Sequence, residues 1–368
     1  MKKIITTVGT SLFNNIDKQI YIENKDYLEK AYSEIDERRN SKISKRIKSE
    51  IGKISDKNIQ DISAEIKSII KYYIETKECL EIILVTTDTI ISNLVAEIVT
   101  YIFKRFENIN VLSVERIKGL QVLNRNLFLR EGFPNLINKL NIFILPYPEN
   151  TIINITGGFK AFIPLITIYA SINQVKIIYI YEHSKELLFI PKLPIKIDDV
   201  YIKNNYKYLN QISFGTDDYF TLKNSNYEIF DDLEKRGFLE IDSNFAFLSP
   251  MGLLFLDKFK KINFTFYCPD DVWNEISHQP DIKRILQTKF YDNNLRTNKL
   301  EKKQNHYVFD DGNNNNRIYF FIENNNIYIY KTFQSEEKAK EYISTTINRD
   351  DIIVKSKQRT IQLEDNNE

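Results

Sequence analysis

Hydrophobic positions follow one rhythm in the first half of the chain and another in the second. Residues 3–8 (KIITTV), 81–87 (EIILVTT), 151–158 (TIINITGG) and 176–182 (KIIYIYE) are short, nearly continuous apolar runs, and a further strand is expected near 110–116. Between them the spacing turns helical. Residues 25–79 are charged, with Ile59, Ile62, Ile66, Ile69, Ile70, Tyr73 and Ile74 on one helical stripe. An apolar helix should run to about Phe106, and helices are expected over 120–140 and 159–172. Strands apolar on both faces, alternating with helices, predict a doubly wound, largely parallel sheet. Such sheets bind ligands beyond the carboxyl ends of their strands. Three of the predicted strand ends carry small polar residues: Gly9-Thr10-Ser11, the TTDT run at Asp88-Thr89, and Thr156-Gly157-Gly158.

After Pro191 and Pro194 the pattern changes. A helix at Tyr227–Arg236 stops at Gly237, and FLEI, a turn at Asp242-Ser243-Asn244 and FAFLSP lead into another helix. Helix, strand, turn, strand, helix is the outline of a winged helix. A linker or dimerisation module and a nucleic-acid reader share this outline, and the 227–236 helix carries no basic cluster. From 261 the pattern is α+β. KINFTFY is a strand, PDDVWNEI and DIKRILQTKF are helices, and HYVFDD, RIYFFIE and IYIYKTF are strands. Asn324-Asn325-Asn326 should turn between the last two, and SEEKAKEYI opens a closing helix with Ser and two acids. The tail is polar and expected to be disordered. The expected domains are 1–203, 204–261 and 262–355, with 356–368 as the tail.

Composition narrows the class. Hydrophobics at 42% and charged residues at 27% suit a soluble protein with a sizeable core, and no apolar run approaches the roughly 18 residues of a membrane span. The start turns polar too soon for a signal peptide, so no membrane partner and a cytoplasmic location are expected. Two cysteines, Cys79 and Cys268, make neither a disulfide framework nor a zinc pattern. Net charge is +1, so a polyanion must be met by a local patch. Glycine is scarce, ten in all, and Gly9, Gly119, Gly157 and Gly158 fall in the strand-end motifs.

Small residues at a strand end let backbone amides approach a phosphate, a following helix adds positive potential, and Lys160 supplies a charge. A glycine pair before a helix is also the ordinary device of a tight βα turn. The wider run of TTVGTSL, LVTTDT, RIKGLQV, EGFPNLI, INITGGFKAFIPLITIYA and YIYEHSKELLFIPKLPI closely resembles the CARF sensor domains of CRISPR-associated proteins. The resemblance covers essentially the whole N-terminal domain. It implies a Rossmann-like fold, a homodimer, and a cyclic oligoadenylate activator, cyclic tetra-adenylate, across the two-fold interface. By matching position, Gly9, Thr10 and Ser11 form one ligand loop, and Thr156, Gly157, Gly158 and Lys160 another. Asp88 and Thr89 are the implied base or ribose contacts. Some CARF domains also cleave their ligand, a role that Ser11 and Lys160 would fill here; binding without cleavage is the alternative.

The C-terminal half must then hold the effector. A HEPN ribonuclease needs Arg a few residues before His, and His183, His278 and His306 all lack it. A restriction-type metal nuclease would use Asp270 with Glu301 and Lys303, a literal match in a chain rich in Lys and Glu. The order strand, two helices, three strands and helix over 262–348 resembles RelE-family toxins, ribosome-dependent mRNA interferases. That resemblance implies Arg317 as the catalytic charge, with Lys299, Lys302, Lys303 and His306 in one basic zone and Lys331 in a second. The acids of HYVFDD and the long turn from Asp310 to Asn316 depart from the family pattern. Cleavage by the RNA's own 2′-hydroxyl needs no metal or other cofactor, only positive charge around the phosphate and a proton acceptor. Lys283, Arg284, Lys289, Arg296, Lys299, Lys302 and Lys303 stand against Asp281, Asp292 and Glu301, a patch of net +4. Tyr328, Tyr330 and Tyr342 are candidate stacking platforms, or half-buried residues of the strands and helix. The expected protein is a CARF sensor, winged-helix connector and RelE-like ribonuclease acting on mRNA at the ribosome. The rivals are a winged-helix transcription regulator and a CARF-gated metal-dependent nuclease.

Overall fold

The computed structural model describes residues 1–364 apart from 122–123, 159, 161–162, 182–185, 311 and 313–314. The chain divides into two compact units, Met1–Ile197 and Asp198–Glu368.

Unit 1 is a mixed α/β layer structure. Its strands are β1 (Lys2–Thr7), β2 (Leu80–Thr86), β3 (Ile109–Arg116), β4 (Thr151–Asn154), β5 (Lys176–Ile180) and β6 (Leu187–Ile190), in the order β3-β2-β1-β4-β5-β6. The first five run parallel, and β6 is antiparallel to β5. Ile4, Ile82, Leu84 and Ile152 pack under helices Ala64–Thr76 and Ile90–Phe103, while Ile5, Ile83 and Ile153, one residue out of step, are equally buried. Both faces are therefore covered, which explains the continuous apolar runs of β1, β2 and β4. β3 alternates because it is an edge strand. The charged stretch 25–79 divides into several helices, among them Lys18–Leu28, Glu37–Gly52 and Ala64–Thr76. The chain leaves β1 toward β2 on one side and β4 toward β5 on the other, so β1 and β4 flank the point where winding reverses.

Unit 2 begins with helices Asp199–Ile212, Tyr219–Ser225 and Tyr227–Lys235, a hairpin of β7 (Leu239–Asp242) and β8 (Phe245–Leu248), and helix Pro250–Ile262. Ser243 sits at φ 58° in the hairpin turn. A six-stranded mixed sheet follows, built from β9 (Asn263–Cys268), β10 (Leu300–Lys303), β11 (His306–Phe309), β12 (Arg317–Glu323), β13 (Asn326–Phe333) and β14 (Lys357–Gln362), in the order β10-β11-β12-β13-β9-β14. Phe264, Phe266, Phe309, Ile318 and Phe320 face helices Asp270–Ser277 and Pro280–Ile285. Tyr267, Val308, Tyr319, Phe321 and Tyr328 make the opposite core with Ala339 of helix Glu336–Tyr342. Asn324 and Asn325 turn between β12 and β13 at positive φ, as the asparagine run suggested.

Three expectations are corrected here. The boundary expected at 203/204 falls inside the continuous helix Asp199–Ile212, and the division lies at 197/198. The segments expected as separate domains, 204–261 and 262–355, form one unit; Asn210 Nδ2 donates to Asn325 O at 2.7 Å. The supposedly disordered tail contributes β14, which pairs antiparallel with β9 from Lys357 to Gln362. Its polar residues find partners in that register: Thr360 with Thr265 at 3.0 Å, Tyr267 with Gln358 at 3.1 Å, and Lys357 with Asp270 at 2.5 Å.

Candidate functional site

The loops that follow β1 and β4 meet over the reversal point. A Cβ on Gly9 would stand 2.8 Å from Gly158 N, so the two backbones touch with no room for a side chain. Gly158 is at φ 94°, and a Cβ there would lie 2.6 Å from Thr7 Cβ. Thr7 Oγ1 donates to Gly157 O, tying the first loop to the second. Beneath them Asn154 donates to Thr6 Oγ1 at 3.0 Å and to Ser68 Oγ at 2.8 Å, locking β1, β4 and helix Ala64–Thr76 together.

Beside this junction lies a cavity of about 550 Å³. Gly9, Thr10, Thr89, Gly158 and the exposed Lys160 line it, five residues marked by the sequence. Thr89 caps helix Ile90–Phe103, its Oγ1 accepting from Ser92 N at 3.4 Å. Thr87, Ser92, Gln121 and Glu29 also line the cavity and were not singled out from sequence. Thr87 and Ser92 had a local signal, the hydroxyl-rich end of β2 and the helix that follows. Glu29 and Gln121 had none, because they arrive from distant segments. Backbone amides, hydroxyls and one lysine around a concavity suit an anionic, hydroxyl-bearing ligand.

Four expected ligand residues do other work or stand aside. Asp88 turns its carboxylate to Gly119 N at 3.0 Å and Arg116 at 3.8 Å, bracing the loop and adding no surface to the cavity. Thr156 accepts from Ile180 N at 3.0 Å through its hydroxyl. Gly157 packs on Glu65, and Ser11 begins helix Leu12–Ile16 without capping it through its side chain. None of these four lines the cavity. Phe159, His183, Asp311 and Asn313 lie outside the described residues.

Unit 2 gives most of its expected site residues partners within the protein. Arg317, 7% exposed, is ion-paired with Asp310 at 2.9 Å and donates to Asn316 O at 2.9 Å. The acid that departs from the family pattern is thus the partner of the expected catalytic arginine. His306 is a core residue: fully buried, it contacts Tyr330 Oη at 2.8 Å and Thr345 O at 2.9 Å through its two ring nitrogens. It offers no surface to a substrate. Lys331 pairs with Glu275 at 2.6 Å, and Lys303 with Glu301 at 2.6 Å. Lys299 and Lys302 are exposed, Lys299 closing helix Asn293–Asn298. Glu336 gathers part of the set: Lys340 first, then Arg317 and Lys303, hold its carboxyl below the usual range. Arg296 leaves the basic patch, since it is buried and donates to Phe290 O at 2.8 Å. Tyr328 and Tyr330 are buried in the core and cannot stack on bases; Tyr342 is half-buried.

The metal-nuclease triad is also corrected. Glu301 and Lys303 lie on edge strand β10, whereas Asp270 follows β9 and pairs with Lys357 and Arg359 of β14, the opposite edge. Four strand spacings of about 4.8 Å put roughly 19 Å between β10 and β9, too far for one metal. Among the described residues no group of three His, Cys, Asp or Glu is arranged to hold a metal ion. No helix among them is long and apolar enough to cross a membrane.

Residues 60–193 match a family described as CRISPR-associated protein (Cas_APE2256). The matched segment, just over a third of the chain, contains β2 to β6 with the Thr89 and Gly157-Gly158 loops and omits β1. Among solved structures, Can2 from Sulfobacillus thermosulfidooxidans in complex with cyclic tetra-adenylate aligns at 13% identity over 95% of this chain and 83% of that chain. Its TM-score is 0.27, and at that level the likeness carries no argument. No curated protein matches the chain.

Proposed function

We propose that this chain is a type III CRISPR ancillary effector whose first unit is a CARF domain activated by cyclic tetra-adenylate. One observation carries the reading: the Gly9 and Gly158 loops touch over the winding reversal and border a 550 Å³ cavity with Lys160 and Thr89 on its wall. The match of 60–193 to a CRISPR-associated family supports it, as does the likeness of GTS, TTDT and TGGFK to the CARF ligand loops. A two-fold homodimer would bring both copies of each loop to one symmetric ring. In this reading Lys160 and the loop amides other than that of Gly9, which Glu65 holds, meet phosphates, and the Thr87 and Thr89 hydroxyls meet ribose or base edges. In the same reading Lys160, on the cavity wall, would stabilise the charge that develops if a ribose 2′-hydroxyl attacks the next phosphate. Ser11 heads the helix after the first loop and stands outside the cavity lining; the CARF resemblance alone assigns it to orienting that hydroxyl.

Unit 2 is read as a winged-helix connector joined to a RelE-like ribonuclease that cuts mRNA at the ribosome, without metal, by 2′-hydroxyl attack. Arg317 would stabilise the pentacovalent phosphate. Its pairing with Asp310 makes the described conformer a resting one, in which the scissile phosphate must displace a carboxylate. Exposed Lys283, Arg284, Lys299 and Lys302 supply the RNA-facing charge. The transcription-regulator alternative is the weaker one: helix Tyr227–Lys235 carries Glu228, Asp231, Asp232 and Glu234 against Lys235, a poor fit to a DNA backbone.

The deciding experiment has two arms. Calorimetry with cyclic tetra-adenylate should show tight binding to the full chain, and mRNA on ribosomes should be cut only when the ligand is present. Absence of binding removes the sensor reading. Binding without cleavage, with or without ribosomes, removes the effector reading alone.

A further inference from the structure

Glu65 lies in the first turn of helix Ala64–Thr76 and has no exposed surface. Its Oε1 accepts the Gly9 amide at 3.1 Å. Its Oε2 is buried without a partner, and a Cβ on Gly157 would stand 2.7 Å from it. One carboxyl group therefore holds the first glycine loop by a hydrogen bond and the second by contact. It adds no surface to the cavity that those loops border.

Among the described residues no cation beside Glu65 balances a negative charge. The groups facing it are the Gly9 amide, the Gly157 backbone, the Ser63 hydroxyl and its own amide, and no cation among the described residues pairs with it. Lys160 and Glu29 are the ionisable groups of the cavity itself. A fully enclosed carboxylate without a counter-charge is strongly disfavoured relative to the neutral acid. Burial pushes Glu65 above the ordinary carboxylate range, against the smaller opposing pull of the Gly9 and Ser63 hydrogen bonds. An anion seated on the other side of Gly9 and Gly158 would add repulsion to the same balance.

We propose that Glu65 is a positioning residue that braces the Gly9 and Gly157 loops as a neutral carboxylic acid, so that binding of a polyanion in the adjoining cavity is linked to protonation of Glu65. The proton resides on the carboxyl, and no bond to the ligand forms. This inference rests on the functional reading only for the identity of the polyanion.

The test compares the full wild-type chain with Glu65→Gln, which keeps the shape and removes the titration. Without ligand, the folded-state pKa is raised, so Glu65 costs stability progressively as pH rises through the folded value. Glu65→Gln should therefore gain thermal midpoint over wild type as pH rises above the ordinary carboxylate range. With cyclic tetra-adenylate, wild-type affinity should fall over the same rise in pH by several-fold more than that of Glu65→Gln. A brace with no ionisation would shift both quantities by a constant amount, and a constant offset at every pH overturns the proposal. If the wild type binds no cyclic tetra-adenylate at any pH, the functional reading fails while the ligand-free midpoints still decide Glu65. If Glu65→Gln does not fold, proton uptake by the wild type, from binding heats in two buffers of different ionisation enthalpy, takes its place. Zero uptake throughout then overturns the proposal.

Discussion

Gly9 and Gly158 touch through bare backbone: a Cβ on the first would stand 2.8 Å from the amide nitrogen of the second. The two strand ends are thereby held together as one surface at the cavity. A charge is then all that distinguishes a binding loop from a turn, and Lys160 carries it.

Lys160→Ala should leave the fold intact and weaken cyclic tetra-adenylate binding about 10- to 100-fold, the scale of one charge-assisted hydrogen bond of about 1.5–3 kcal/mol. Gly158→Asp should abolish binding and also lower the thermal midpoint, because φ 94° and the Thr7 contact leave no place for its Cβ. Calorimetry and circular dichroism separate the two. Wild-type affinity in both variants would sink the loop assignment.

Ser11 tests the proposed breakdown of the ligand by unit 1. Its hydroxyl makes no cap to helix Leu12–Ile16, so its removal should leave that helix start unchanged. Ser11→Ala is expected to slow ligand breakdown more than it weakens binding, and RNA cleavage should last longer. Chromatography of the ligand after hours with wild-type protein decides it: an intact ring excludes the activity.

Arg317 and Asp310 make opposite predictions about one ion pair. Arg317→Ala should lower the rate of RNA cleavage roughly 10²-fold, on the scale of one preorganised charge donor. Ligand affinity should not change. Removing the guanidinium should also cost about 1–3 kcal/mol in unit 2, because half-buried Asp310 loses its counter-charge and keeps the Gly312 amide at 2.9 Å. Asp310→Asn, by loosening the guanidinium, should raise cleavage in the absence of ligand. Full activity of Arg317→Ala in a gel assay with ribosomes would discard Arg317 as the catalytic charge.

His306→Ala should behave as a core mutation. Loss of the contacts to Tyr330 and Thr345, with a cavity among Tyr319, Tyr330 and Tyr342, predicts about 3 kcal/mol of destabilisation in denaturant. The rate per folded molecule should be unchanged. A pure rate defect with no loss of stability would return His306 to the catalytic candidates.

What the sequence by itself determined was everything carried by neighbours along the chain. Apolar runs ending in GTS, TTDT and TGG located the carboxyl ends of β1, β2 and β4, because a strand buried on both faces is mostly apolar and its few polar residues, such as Thr6 and Asn154, must pair with each other. Asn324-Asn325 marked the last hairpin because asparagine tolerates the positive φ that the turn imposes. Tertiary structure alone decided the pairings between remote segments. Glu65 meets Gly9 and Gly157, Asp310 meets Arg317, His306 meets Thr345, and KQRTIQ becomes β14 against β9. In sequence each of these polar groups looks like any solvated side chain or free tail. Whether a charge is solvated, paired or forced neutral depends on what is folded against it, and local pattern holds no information about that partner.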